Sequence, residues 1–286
     1  MPELPEVETI KCDLRPLLVG RAITGVKVGW EGCVDRPSVR EFSRQIVGSC
    51  IEDVGRRGKF LVFTLSGGNT LLVHLRMTGR LLLVDAAFPS ETHARFSFRL
   101  DNGEELRFVN VRKFGRLYLV ADPEEVLGDL GPEPLEEDFE LEDFCVLFDG
   151  RRGMIKPLLL NQRFLAGLGN IYVDEALFKA GLHPQSRADT LTAEQLNRLY
   201  DAIREVLRQA IADRGTSRSD YVRPDGSEGR HQNSLLVSGR AGEACPRCGT
   251  TIERLVVGGR GTYICPRCQE TPSRSEGRAT TTQVPR

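Results

Sequence analysis

Four cysteines constrain this chain more tightly than any other feature. Cys245-Pro-Arg-Cys248 is followed, after sixteen residues, by Cys265-Pro-Arg-Cys268. A two-residue knuckle sets two thiolates on one edge of a tetrahedron, and a second knuckle supplies the opposite edge. Four thiolates leave no open position for water, so one structural zinc ion, Zn(2+), is expected. Between the knuckles, Thr251–Val257 and Thr262–Ile264 flank Gly258-Gly259-Arg260-Gly261, which reads as a β-hairpin with a glycine-rich tip. Such a hairpin is too small to hold itself and depends on its metal. Arg260 lies at the tip, where neighbouring glycines allow close approach to a nucleic-acid backbone. The other cysteines, Cys12, Cys33, Cys50 and Cys145, are expected as buried reduced thiols.

The chain's 286 residues suit two domains and a tail. Its longest apolar runs, such as Leu81 to Val84 and Leu158 to Leu160, are far too short to span a bilayer. The acidic start, MPELPEVETI, lacks the layout of a signal peptide, so a cytoplasmic protein is expected, with no membrane partner. Net charge is −1, which by itself says nothing of nucleic acid. Its distribution says more. The first 150 residues hold 18 Lys/Arg against 26 Asp/Glu, and the remainder 21 against 14. Asp122 to Asp149 carries 12 acidic residues and no Lys or Arg, as a solvated connector would. A basic C-terminal half suits a polyanionic partner.

Pro5 to Leu18 reads as a helix with an apolar stripe. From Ile23 to Val120 short β-rich runs alternate with turn signals, as in a β-sandwich or barrel, with a short helix at Arg40–Gln45. The clearest runs are Lys59–Leu65, Thr70–Leu75, Ala94–Leu100, Glu105–Val109 and Leu117–Val120. Beyond Gly131-Pro-Glu-Pro134 the pattern turns helical, with helices predicted at Glu140–Leu147, Pro157–Phe164, Ile171–Ala180, Ala193–Ile211 and Ser217–Val222. Thr192 and Gln195 form a capping box ahead of the long one.

Removal of Met1 would leave Pro2 with a free secondary amine, a nucleophile that forms a cationic imine with an aldehyde carbon. Glu3 and Glu6 lie within one helical turn of it and suit general acid–base work. Proline and glutamate are equally good helix starters, so their chemistry needs the context of the whole chain.

That context is a resemblance. Met1-Pro-Glu-Leu-Pro-Glu-Val-Glu-Thr9 resembles the start of formamidopyrimidine-DNA glycosylases. Arg56-Arg-Gly-Lys59, His74-Leu-Arg-Met77-Thr-Gly79, Val111-Arg112-Lys-Phe114-Gly115, Gly131-Pro-Glu-Pro134, Gly167-Leu-Gly-Asn170-Ile-Tyr172 and the four-cysteine hairpin recur in the family's order. The likeness runs over roughly residues 1 to 268.

It implies an α+β multidomain protein. A catalytic helix precedes an N-terminal β-sandwich, and a C-terminal helix–two-turn–helix domain carries a four-cysteine zinc β-hairpin. The expected divisions are 1–130 (catalytic sandwich), 131–150 (acidic linker and first helix), 151–240 (helix–two-turn–helix domain with a lid loop), 241–268 (zinc finger) and 269–286 (disordered tail). It further implies a monomer that acts on double-stranded DNA containing oxidised bases or abasic sites. Such an enzyme removes oxidised purines (8-oxoguanine, formamidopyrimidines) and then cleaves by β,δ-elimination. Pro2 would attack C1′, with Glu3 as acid–base and Glu6 in support. Lys59 would assist β-elimination and Arg260 the second elimination. Met77, Arg112 and Phe114 would fill the gap left by the flipped nucleotide; taken alone, Met77 and Phe114 read as core residues. Asn170, His93 and Lys156 match further DNA-contacting positions. Gly215 to Gly239 resembles a flexible lid followed by a strand leading to the zinc. One departure stands out: the family usually has aspartate where this chain has Asn110. Two other readings are a sister glycosylase group acting on oxidised pyrimidines, against which Leu4 argues, and a zinc-dependent damage sensor that does not cut.

Overall fold

The computed structural model describes residues 1–89, 91–218 and 220–269. Helix α1 spans Leu4–Leu18, one residue earlier than the periodicity predicts. Pro5 sits in its first turn, where a missing N–H costs nothing. Val7, Ile10, Leu14 and Leu18 recur at three- and four-residue spacing and are buried.

The β-rich region forms β1 (Ile23–Val28), β2 (Val34–Arg36), β3 (Ile51–Arg57), β4 (Phe60–Leu65), β5 (Thr70–His74), β6 (Gly79–Asp85), β7 (Ala94–Leu100), β8 (Glu104–Asn110) and β9 (Arg116–Val120), with α2 (Val39–Ile46) after β2. They make two sheets, ordered β1-β7-β8-β6 and β2-β9-β5-β4-β3. Only the β2–β9 pairing is parallel among the described residues. Two-residue alternation decides which side chains point inward. Phe96, Phe98 and Phe108 of one sheet meet Phe63, Leu71 and Val73 of the other, with Phe42 of α2 and the stripe of α1 closing the core. The sandwich expected from the sequence is present.

The connector carries α3 (Glu124–Leu127) and α4 (Leu141–Leu147). It is not wholly solvated. Glu133 is buried, pairs with Arg56 and Arg57 of β3, and accepts from the N–H of Gly58 at 2.6 Å.

The helical region is α5 (Ile155–Leu160), α6 (Asn170–Ala180) and α7 (Ala193–Ala212), packed around Tyr172, Val173, Leu177, Leu199 and Ile203. The capping box of α7 forms as expected, Gln195 N donating to Thr192 Oγ1 at 3.2 Å and Thr192 N to Gln195 Oε1 at 2.8 Å. Helix α5 stops four residues before its predicted end. The Gln162 amide donates to the carbonyls of Leu160 and Leu168 and accepts from Gly167 N, folding the chain into two turns between α5 and α6. The hairpin is β10 (Glu253–Val257) and β11 (Arg260–Ile264), packed on Phe178, Val237 and Ile252.

Four further expectations need correction. The described residues of the Ser217–Val222 segment form no helix. Thr216 N donates to Glu6, Ser217 N to Gln232, and Tyr221 is buried in the sandwich core, so tertiary partners outbid local ones. No strand leads from the lid segment to the hairpin among the described residues. The N–H groups of Leu236, Val237 and Ser238 all donate to the buried carboxylate of Glu175 instead. Gln269 is ordered: it is buried, donates to Leu182 O and accepts from Cys265 N, while 270–286 lie outside the described residues. Of the four isolated cysteines only Cys33 is buried; Cys12 is exposed, and Cys50 and Cys145 are half-buried.

The two cores interlock. Leu4, on the sandwich's own helix, is fully buried in the helical core, and Tyr221, beyond α7, is buried in the sandwich core.

Candidate active site

Sγ atoms of Cys245, Cys248, Cys265 and Cys268 all lie within 4.8 Å of one another. Three of their separations are 3.4, 3.5 and 3.9 Å. A tetrahedron of Zn–S bonds of about 2.3 Å has edges of about 3.8 Å, so one zinc fits without rearrangement. Backbone N–H groups of Arg247 and Cys268 point at Cys245 and Cys265 Sγ, each at 3.4 Å, as they do toward thiolates. Four sulfurs close the shell, and the ion is structural.

A cleft of about 550 Å³ opens between the sandwich and the helical region. Asp35, Arg76, Met77, Phe114, Arg116 and Tyr118 form its sandwich wall; Asn170, Ile171 and the hairpin-tip Arg260 form the opposite wall; Met1 and Glu3 lie between them. Met1 is half-exposed, and Pro2 is buried beneath it.

Behind Met1 is a buried cluster of charge. Glu3 N donates to Glu6 Oε2 at 2.8 Å, and Glu3 Oε1 accepts from Ile171 N at 3.1 Å, at the start of α6. Glu3 Oε2 is buried with no partner. Gly169 makes this approach possible: a Cβ there would fall 2.2 Å from the Glu3 carboxyl carbon. Burial raises the Glu3 pKa, against the pull of Lys59 and the α6 N–H groups. Glu6 is pushed up to about 7, first by burial and then by the Glu3 carboxylate. Its Oε1 touches the Tyr172 hydroxyl and accepts from Thr216 N at 2.8 Å. Lys59 is only 6% exposed, not the solvated lysine that a strand start suggests. Its Nζ donates to Leu168 O at 2.7 Å, and burial lowers its pKa against the attraction of Glu3 and Glu6. The cluster thus holds two carboxyls with a reason to keep protons and an amine with a reason to lose one. Groups shifted in these directions suit proton transfer.

Comparison with known proteins adds the decisive observation. Residues 1–117 match the formamidopyrimidine-DNA glycosylase N-terminal domain, 130–221 the H2TH domain of the same enzymes, and 242–271 the zinc finger found in FPG and IleRS. The chain is 46% identical over 260 residues to formamidopyrimidine-DNA glycosylase of Protochlamydia amoebophila, covering 89% of this chain and 94% of that protein. Identity to the Moorella thermoacetica enzyme is 49% over 259 residues, with the same coverage. The fold superposes with TM-score 0.89 on the Lactococcus lactis enzyme in complex with abasic-site DNA, at 36% identity, covering 94% of this chain and 100% of that one. The L. lactis mutant G226P in complex with Fapy-dG DNA superposes equally well, at 0.89 and 36% with the same coverage.

The chain belongs to the formamidopyrimidine-DNA glycosylase family.

As a member of that family it is a DNA glycosylase and abasic-site lyase with one structural zinc. No helix among its described residues is long and apolar enough to cross a membrane. The DNA-facing residues expected from the glycosylase resemblance divide into two sets. Met77 and Phe114 are 39% and 48% exposed in the cleft, against their reading as core. The Arg112 guanidinium lies 5.2 Å from the Phe114 ring centroid. The Arg112 backbone N–H donates to Thr78 Oγ1 at 3.2 Å, and Thr78 Oγ1 donates to Asn110 Oδ1 at 3.4 Å, so Thr78 links Asn110 to the Arg112 backbone and not to its guanidinium. Asn170 reaches the cleft and donates through Nδ2 to Gly261 O at 2.9 Å.

His93 stands outside the cleft lining, its Nδ1 3.0 Å from the Arg95 guanidinium. Lys156 is fully buried, which does not fit direct contact with DNA. Its ammonium donates to Asp174 at 2.6 Å and to Gly261 O at 3.2 Å. Asp174 in turn accepts from Tyr263 N at 3.2 Å, so the pair grips strand β11 just beyond the hairpin tip.

Sequence reasoning passed over Asp35, Arg76, Arg116, Tyr118, Tyr172 and Thr216. Arg76 and Tyr172 lie inside motifs already singled out; the others carry no local signal. His74, in the same motif as Arg76, is pushed down to about 3 by burial and stays neutral, its Nδ1 accepting from Arg76 N at 3.0 Å. That bond supports Arg76 at φ 54, an uncommon left-handed conformation directly before Met77.

Proposed function

We propose that the chain excises oxidised purines, formamidopyrimidines and 8-oxoguanine, from duplex DNA through an imine on Pro2 and then nicks the strand at the resulting site. The observation that carries this reading is the buried Glu3 carboxyl. It has one unpartnered oxygen and a raised pKa, and sits at the cleft beside residue 2. With Met1 removed, the Pro2 nitrogen opens onto the cleft.

In the proposed sequence the Pro2 amine attacks C1′, and the base leaves with the bonding electron pair and takes up the proton that the Pro2 nitrogen gives up. Glu3 gives its proton to the ring oxygen as the sugar opens, leaving the cationic imine. That cation acidifies the C2′ proton. Its removal, assisted by Lys59, expels the 3′ phosphate. Loss of the C4′ proton, acidified through the new C2′–C3′ double bond, then expels the 5′ phosphate in a second elimination, with Arg260 supplying positive charge at the hairpin tip. Met77, Arg112 and Phe114 take the place of the extruded nucleotide, replacing part of the lost stacking. Asn170 and His93 contact the backbone, and Lys156 serves through the hairpin it holds. Duplex DNA bearing an oxidised base or abasic site is the partner. The chain acts as a monomer in the cytoplasm.

Borohydride reduction during turnover of a lesion duplex is expected to trap a covalent complex. Proteolysis and mass spectrometry then locate the sugar. The reading requires it on residue 2; an adduct on Lys59, or no adduct with excision intact, overturns it.

A further inference from the structure

Strand β8 ends at Asn110 and β9 begins at Arg116, so five residues carry Phe114 into the cleft, with the Arg112 guanidinium beside its ring. Val111 and Phe114 are both exposed, so the loop has little burial of its own to fix it. Lys113, directly before Phe114, sits at φ 58, a left-handed conformation that residues with a side chain seldom adopt unaided. Two cations bracket the ring in sequence, and both lie on one indole. Lys113 Nζ is 5.5 Å and the Arg116 guanidinium 5.7 Å from the Trp30 ring centroid. Arg116 also donates to the carbonyls of Lys113 and Gly115, at 3.0 and 2.9 Å. The indole is itself fixed. Trp30 N donates to Arg95 O at 3.0 Å, and the ring lies against Gly32, where a Cβ would fall 2.4 Å from it.

We infer that Trp30, the only tryptophan of the chain, is a positioning residue for the loop that presents Phe114 to the duplex. This rests on the reading of Phe114 as a wedge. Losing the indole frees both cations and lets the loop leave its left-handed turn.

A wedge matters for extruding a base from a duplex and is not needed on a single strand that already carries an abasic site. The test therefore compares Trp30→Leu, Trp30→Phe, Gly32→Ala and Phe114→Ala in the full-length protein on both substrates. Trp30→Leu and Gly32→Ala, the second displacing the indole without removing it, are expected to lose about tenfold in kcat/KM for duplex excision. Both should keep single-strand abasic cleavage within about twofold, and Trp30→Phe should recover most of the duplex activity. Undiminished duplex excision in Trp30→Leu overturns the inference, as does an equal fall on both substrates. If Phe114→Ala excises normally from duplex, the wedge reading fails and the inference falls with it. If no variant or parent forms the covalent adduct at residue 2, the failure lies instead with the proposed chemistry.

Discussion

Glu6 shows how a single side chain is tuned by what surrounds it. Glu3 N and Thr216 N both donate to its carboxyl oxygens, and each favours the ionised form. Burial and the neighbouring Glu3 oppose them and win, raising the group from 4.5 to about 7. The proton has one natural place, between Glu6 Oε1 and the Tyr172 hydroxyl, which can pass its own hydrogen to Thr216 Oγ1 at 2.9 Å. A carboxyl whose pKa is raised by folding makes the folded state the better proton binder between about pH 4.5 and 7. Stability is then lost as the pH rises through that window. Glu6→Gln removes this contribution. Thermal unfolding followed from pH 5 to 8 should show the parent losing about 1–3 kcal/mol more than the variant. Parallel profiles would contradict the assignment. None of this tuning was legible in the sequence. Lys59 reads locally as a solvated strand start, and its burial depends on a carbonyl 109 residues away, that of Leu168. Conversely, Met77 and Phe114 look like core by residue type, and only the sheet-end loops that carry them put them in the cleft.

At the scale of elements, legibility follows how local the determining interactions are. Helices α1, α6 and α7 were readable because their stripes and caps lie within their own residues. The hairpin was readable because thiolate spacing and turn glycines are local too. The end of α5 and the Ser217–Val222 segment were not readable: the Gln162 side chain takes Leu160 O while also bonding Leu168 O and Gly167 N, and the N–H groups of Thr216 and Ser217 go to Glu6 and Gln232. The hairpin adds a test of its own. Its tip is held by the fully buried Lys156–Asp174 pair, whose members are both pulled toward neutrality by burial, with Asp174 pushed up to about 7. Removing one member leaves the other buried without a counter-charge, at a cost of about 3–5 kcal/mol. Lys156→Met should lose that much in urea denaturation and should weaken the second elimination through a displaced Arg260. Pairing it with Asp174→Leu should recover much of the stability. A double variant as unstable as the single one would show that volume, and not charge, sets the cost. Metal removal acts on the same element. A thiol-competing chelator should release one zinc per chain and abolish lesion-duplex binding, while far-ultraviolet circular dichroism retains the sandwich signal. Binding that survives complete zinc loss would separate the hairpin from DNA recognition.

At the scale of the whole molecule, the cleft exists because each domain lends a residue to the other's core. Helix α1 presents Val7, Ile10, Leu14 and Leu18 to the sandwich but Leu4 to the helices, and Leu4 N donates to Gly167 O at 3.0 Å. Gly167 is at φ 98, and a Cβ there would lie 2.6 Å from the Leu4 side chain, so the two backbones meet as closely as they can. Beyond α7, Tyr221 returns the exchange, and Arg223 pairs with Asp13 of α1 at 2.8 Å. Glu3 lies directly beside Leu4, so the packing that joins the domains also sets the acid against α6. Leu4→Ala removes the plug, costing about 2–5 kcal/mol by the usual range for buried leucine. The cost falls on the junction, since Leu4 is joined by chain to one core and by packing to the other. Scanning calorimetry of the parent is expected to give one cooperative transition. In Leu4→Ala it should split, the helical region melting first, and duplex excision should fall with it. Leu199→Ala removes the same atoms from a site belonging to the helical core alone, and serves as the control. If both variants lower a single transition by the same amount, Leu4 is an ordinary core residue and the coupling of the domains lies elsewhere.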